Sequence, residues 1–235
     1  MAEIRLIRHG QARLDDDNYD QLSELGCAQS ELLGKWLAMT GRQPGRVVCG
    51  TLERHRQTAQ ACLAAWGQTP TAPSPVILDA RLNEFDHQEV LARCWPDYAQ
   101  PGALRAMLAS AENPHRKFQE VFLASMERWI SGRYDGDYTE SWESFRRRCV
   151  AGLEAAINGL ERSEDLSVFT SGGPVAATCQ HVLGLSDAKA TELNWSIVNT
   201  SVTVLARGRR GLRLASFNAG AHLEAAGKGE LITYR

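Results

Sequence analysis

Residues 166–175 read LSVFTSGGPV. An apolar run stops at Ser171-Gly172-Gly173, and Pro174 then stands at what reads as the opening of a helix. Strand, small-residue turn, helix is a layout that turns backbone N–H groups toward an anion. Taken alone, the turn admits three readings: a phosphate cradle, a serine nucleophile, or a tight connection without chemistry.

The same alternation recurs on both sides. EIRLIR (3–8) is a short β-type run, and RVVCG (46–50), PVILD (75–79), TSVTVLA (200–206) and LRLASFN (212–218) complete a set of about six with LSVFT (166–170). Between them, LSELGCAQSELLGKWLA (22–38) has Ser23 as an N-cap and apolar residues at helical spacing, and LERHRQTAQACLAAWG (52–67) reads as a second helix. Strands alternating with helices predict an α/β fold, a three-layer α/β/α arrangement around a mostly parallel sheet. The stretch RGRRG (207–211) is turn-like, so the last two strands are expected to form an antiparallel hairpin at one edge.

Almost 90 residues without a convincing strand separate the third run from the fourth. Within them, Asn113-Pro114 starts a helix whose stripe is Phe118, Val121, Phe122, Met126, Trp129 and Ile130. A second stripe runs through Trp142, Phe145, Cys149, Val150, Leu153 and Ile157. These stripes are core rather than a cofactor site. Residues 1–235 thus read as one domain carrying a helical insertion over about 86–145, expected to sit over the sheet as a cap.

Composition narrows the function classes. A net charge of −2 with interspersed signs gives no basic surface for nucleic acid. No apolar segment approaches the roughly 18 residues of a membrane helix, and MAEIRLIRHG carries charge where a secretory segment would be apolar. Six cysteines (27, 49, 62, 94, 149, 179) are widely spread without a C-x-x-C pair, which predicts buried free thiols. The expectation is a soluble, reduced, cytoplasmic protein without nucleic-acid or membrane partners.

In open α/β sheets ligands bind outside the carboxyl ends of the strands. Here those ends carry Arg8-His9-Gly10-Gln11, then Gly50-Thr51 running into Arg54 and His55, and Ser171-Gly172-Gly173, while RLNEFDH (81–87) offers Glu84 and Asp86. Two arginines with the N–H groups of helix starts suit a dianionic phosphate. A neutral imidazole between them is a competent nucleophile toward phosphorus, and Glu84 could give a proton to the leaving oxygen. Guanidinium groups and backbone dipoles can neutralise the developing charge, so this chemistry needs neither metal nor cofactor.

Together these residues resemble the histidine phosphatase superfamily, which includes the cofactor-dependent phosphoglycerate mutases. IRLIRHGQA resembles its Arg-His-Gly signature, LSELGCAQSELLG its Leu-Ser/Thr-x-x-Gly-x-x-Gln helix, GTLERHRQTAQ its Leu-x-Arg-x-x-Gln-Thr-Ala segment, and RLNEF its Leu-x-Glu. The resemblance implies a phosphoglycerate mutase-like fold, a phosphohistidine at His9, Arg54 in the phosphate pocket with Arg8, and Glu84 as proton donor. Hydrolysis of the intermediate by water would make the chain a phosphatase.

One position departs from the pattern. The superfamily ends its fourth core strand with His-Gly, whereas this chain has Thr170-Ser171-Gly172. Ser171 can donate a hydrogen bond to a phosphate oxygen beside the N–H groups at 172–173, but it supplies no imidazolium charge. As a nucleophile it would need a base, and the sequence points to none; the turn is also not Gly-x-Ser-x-Gly.

Gln11, Thr51, His55, His87 and His222 are candidates for the pocket rim. His55 reads first as a surface helix residue, and His87 as a replacement for the lost charge. RLDDDNYD (13–20) reads as a solvated loop; at the pocket it would disfavour strongly anionic substrates. The functional expectation is a metal-independent phosphatase for a small phosphorylated metabolite, with inorganic phosphate as the other ligand. The alternatives are a catalytically impaired phosphate-ester binding protein and, against the absence of Ser/Thr-x-Trp-Asn after Arg-His-Gly, a mutase. An edge strand or the cap could support a homodimer.

Overall fold

Branched and apolar residues build six strands, β1 (Glu3–Arg8), β2 (Arg46–Cys49), β3 (Ile77–Leu78), β4 (Leu166–Thr170), β5 (Val202–Gly208) and β6 (Gly211–Ala219). The computed structural model describes residues 2–13, 20–67, 76–100, 102–161, 163–209 and 211–234. Residues 14–19 of the acidic loop, and the residue before Val76 in the expected third strand, lie outside that set. The strand order is β3-β2-β4-β1-β5-β6. β3, β2, β4 and β1 pair in parallel, and β5 runs antiparallel to β1 and to β6. The expected hairpin therefore closes one edge of a mixed, mostly parallel sheet.

All five residues of β4 are buried, as a strand covered on both faces must be. On one face Ile4, Leu6, Val48, Leu166 and Val168 pack with Leu153 and Ala156 of α6 (Trp142–Ile157) and Val175 and Cys179 of α7 (Gly172–Leu183). On the other, Ile7, Val47, Cys49 and Phe169 pack with Leu33 and Leu37 of α1 (Glu24–Met39) and Ala59 and Cys62 of α2 (Glu53–Ala65). Each fully buried aliphatic or Phe side chain contributes about 1.5–3 kcal/mol of burial free energy. The chain is thus an α/β protein with helices on both faces of the sheet.

Local chemistry sets the helix starts. Ser23 Oγ accepts the Gly26 N–H at 3.0 Å, as the sequence predicts. α1 and α2 approach so closely that a Cβ on Gly34 would strike the Cys62 carbonyl. A Cβ on Gly10 would likewise strike the Gly26 carbonyl, so glycine there lets the turn after β1 lie against α1.

Contacts divide the chain into two compact units, residues 1–84 with 148–235, and residues 85–147. The second holds α3 (His87–Cys94), α4 (Ala103–Ser110), α5 (Pro114–Ile130) and the first turn of α6. Its core is aromatic: Trp129 lies 4.8 Å from Phe85 and 5.2 Å from Trp142 between ring centroids, and its Nε1–H donates to the Glu140 carbonyl at 2.8 Å. The first unit also contains α8 (Asp187–Ser196) and α9 (Ala221–Ala225). All six thiols are free; Cys49, Cys62, Cys149 and Cys179 are buried, whereas Cys27 faces outward from α1 and Cys94 is half-buried. No described helix is long and apolar enough to cross a membrane.

Candidate active site

His9 follows the last residue of β1, and its backbone N–H donates to the Thr170 carbonyl at 2.9 Å. The parallel ladder, which pairs Arg8 with Thr170, thus carries the next residues of both strands to the same end of the sheet. The His9 carbonyl accepts from Asn199 Nδ2 at 3.0 Å and from the Thr200 N–H at 3.2 Å. Its Nδ1 lies 2.7 Å from the Gly10 carbonyl oxygen. A carbonyl only accepts, so Nδ1 carries the proton and Nε2 the lone pair.

The ring is buried, and its basicity falls well below the ordinary histidine value. Desolvation is the first cause, followed by the positive charges of Arg54 and Arg8 and the field of His55. His9 is therefore neutral at neutral pH, with Nε2 available to an electrophile.

Arg8 donates through Nη1 to the Ile197 carbonyl. Arg54 opens α2 as a buried residue, and its Nη1 pairs with Asp20 Oδ1 at 2.8 Å. Asp20 closes the acidic loop, and no pattern in the sequence shows that it reaches this arginine. The solvated-loop reading fails at Asp20; residues 14–19 lie outside the described set.

Glu84 lies beyond the short turn Ala80–Leu82, and its Oε2 accepts the Gly173 N–H at 3.1 Å. Its carboxylate thus sits at the N-terminus of α7, two residues past Ser171. Arg148 supports this segment by donating to the Arg81, Asn83 and Glu84 carbonyls. A Cβ on Gly172, the first residue of α7, would strike Asn194 Oδ1.

His55 overturns its surface reading. It is fully buried, its Nε2 lies 2.6 Å from Ser171 Oγ, and its ring centroid is 5.7 Å from that of His9. Burial and then the charge of Arg54 depress its basicity well below the ordinary value. Gly50 is what admits the ring, since a Cβ there would strike His55 Nδ1.

The remaining candidates are held as follows. Gln11 is tied to the start of α1, its Oε1 accepting from Ser23 Oγ and its N–H donating to Gln29 Oε1, both at 2.8 Å. Thr51 is exposed and exchanges hydrogen bonds with Asn83. His87 begins α3, in the unit formed by residues 85–147. His222 is buried with Nε2 2.8 Å from Thr200 Oγ1, where burial lowers its pKa to about 4. It buttresses the turn that holds the His9 carbonyl. Sequence reasoning passed over three supports: Asp20, Asn199, and Thr58, whose Oγ1 accepts the Gly10 N–H at 3.0 Å. Asp20 and Asn199 belong to no motif that pattern reading isolates, and Thr58, although inside the Leu-x-Arg-x-x-Gln-Thr-Ala segment, gives no sign there that it holds the Gly10 N–H.

The sequence profile of the Histidine phosphatase superfamily (branch 1) matches residues 4–220. No curated protein sequence is similar enough to count as a relative. Among solved structures, a phosphoserine phosphatase mutant from Entamoeba histolytica in complex with phosphoserine superposes with a TM-score of 0.66 at 17% identity, covering 95% of this chain and all of that one. A mycobacterial glucosyl-3-phosphoglycerate phosphatase gives 0.60 at 23% identity over 93% and 99% of the two chains. A phosphoglycerate mutase from Bacillus anthracis gives 0.62 at 17%, over 97% of each. At these identities the likeness is one of fold.

Proposed function

We propose that this chain, which belongs to the histidine phosphatase superfamily, hydrolyses a small phosphomonoester through a phosphohistidine at His9, without a metal ion. The observation that carries the reading is the His9 Nδ1–H bond to the Gly10 carbonyl, which leaves the Nε2 lone pair at a strand end flanked by Arg8 and Arg54. Nε2 attacks phosphorus as the bond to the ester oxygen breaks, and protonated Glu84 gives its proton to the departing alkoxide. A water then attacks the phosphohistidine; Glu84 takes one of its protons, the P–N bond breaks, and inorganic phosphate leaves. Arg8, Arg54 and the N–H groups of α7 neutralise the charge that grows on the phosphoryl oxygens.

Phosphate release from an aryl phosphate tests the reading, together with acid-labile labelling of the protein in a single turnover. His9→Ala abolishes both. Equal turnover by His9→Ala defeats the mechanism. Ser171 favours one second reading, a protein that binds phosphate esters without turning them over. Anion binding without turnover in the native chain, with turnover gained by Ser171→His, selects it.

A further inference from the structure

The buried pair His55–Ser171 is not used by the steps above, and it connects the α7 turn to the nucleophile. Ser171 is the residue before α7, the position from which a serine ordinarily caps a helix, yet its hydroxyl makes no capping bond. Its partner among the described residues is His55 Nε2, at 2.6 Å. Both side chains are fully buried, and the imidazole centroid lies 5.7 Å from that of His9.

The direction of that bond follows from the far side of the ring. His55 Nδ1 is buried and has no hydrogen-bond partner among the described residues. A buried N–H left without an acceptor is costlier and rarer than a buried lone pair left without a donor. The proton therefore sits on Nε2, which donates to Ser171 Oγ. With its oxygen already accepting, the serine hydroxyl has its own hydrogen to give, beside the N–H groups of Gly172 and Gly173.

We propose that His55 is a positioning residue that acts through Ser171: it fixes the hydroxyl as a donor to a phosphoryl oxygen. The pair thereby does from α2 and β4 together what a single histidine at the end of β4 would do. This rests on the phosphatase reading of the same site. The depressed basicity of His55 agrees with it, since a neutral ring holds the single proton that this tautomer requires.

The test uses His55→Leu, which keeps bulk without a donor, His55→Gln, which returns a donor near the Nε2 position, and Ser171→Ala. Thermal unfolding of each variant confirms that the folded protein is being assayed. With an aryl phosphate, His55→Leu and Ser171→Ala each lower kcat about 100-fold or more, the loss seen when one donor to a developing oxyanion is removed. The double variant is no worse than either single one, because the two side chains act as one unit. His55→Gln recovers at least tenfold of the loss.

Orthovanadate binding, measured by calorimetry, reads the same donor without turnover. Affinity falls tenfold or more in His55→Leu and returns in His55→Gln. A native chain that binds vanadate in this His55-dependent way but hydrolyses nothing defeats the phosphatase reading and leaves the pair intact. The pair is overturned by a kcat for His55→Leu within threefold of native, by losses that multiply in the double variant, or by vanadate affinity indifferent to residue 55. It is equally overturned by an acid-stable phosphoryl group trapped on Ser171, which would make His55 a base for a serine nucleophile.

Discussion

Asp20 grips the first turn of α2 at two points: Oδ1 pairs with Arg54 Nη1 at 2.8 Å, and Oδ2 accepts the Glu53 N–H at 2.8 Å. The arginine proposed to meet the phosphate thus already has an anionic partner. That partner is about one-third exposed, while the Arg54 side chain is almost wholly enclosed.

An incoming dianion must share Arg54 with that carboxylate or displace it. Asp20→Asn removes the competing charge and keeps the side-chain shape, so affinity for phosphate and vanadate rises about three- to tenfold at low salt. Calorimetric titration checks this, and the gain shrinks as ionic strength rises. Weaker binding in Asp20→Asn would mean that the carboxylate chiefly orients Arg54.

Stability depends on pH through three buried histidines, His9, His55 and His222. Each has its basicity lowered in the folded chain, His222 to about 4. In the unfolded chain they take up protons near pH 6.5, so below that pH the unfolded state binds more protons than the folded one. Stability is therefore full above about pH 6.5 and falls as pH drops toward the folded values, by up to about 1.4 kcal/mol per pH unit for each histidine. Urea unfolding between pH 7.5 and 5 measures the slope, and His222→Gln lowers it by about one proton. A flat profile over that range contradicts the burial argument.

Glu84 as proton donor predicts a dependence on the leaving group. With an alkyl phosphate, whose alkoxide leaves poorly, Glu84→Gln lowers kcat/KM, which reports the steps up to departure of the leaving group, by about 100-fold or more. With p-nitrophenyl phosphate, whose phenolate leaves unaided, the loss in kcat/KM stays within about tenfold. Equal losses on both substrates would assign Glu84 to holding the α7 turn through the Gly173 N–H rather than to proton transfer.

The strands were legible because covered parallel strands are written as short apolar runs, and the Ser23 cap because it is local. His55 was misread for a physical reason. The buried face of α2 carries Arg54, His55 and Thr58 as well as Ala59 and Cys62, so a search for apolar periodicity finds only its second half. Polar residues bury there because partners far along the chain meet them: Asp20 for Arg54, Ser171 for His55, and the Gly10 N–H for Thr58. Motif spacing could align His9, Arg54 and Glu84 with a family. It could not show that the Ser171 position is complemented by a ring 116 residues away in sequence.

The backbone N–H of His9 donates to the Thr170 carbonyl, one step beyond the last paired residues of two adjacent strands. The proposed nucleophile is therefore attached to the sheet itself rather than to a loop. β1 and β4 lie inside a six-stranded order, flanked on either side by β5 and β2. Local fraying at an edge leaves their ladder whole, so the site has no partial melting of its own. The amide of His9 should exchange with solvent only as slowly as the entire molecule opens, and loss of activity in denaturant should coincide with loss of the fold.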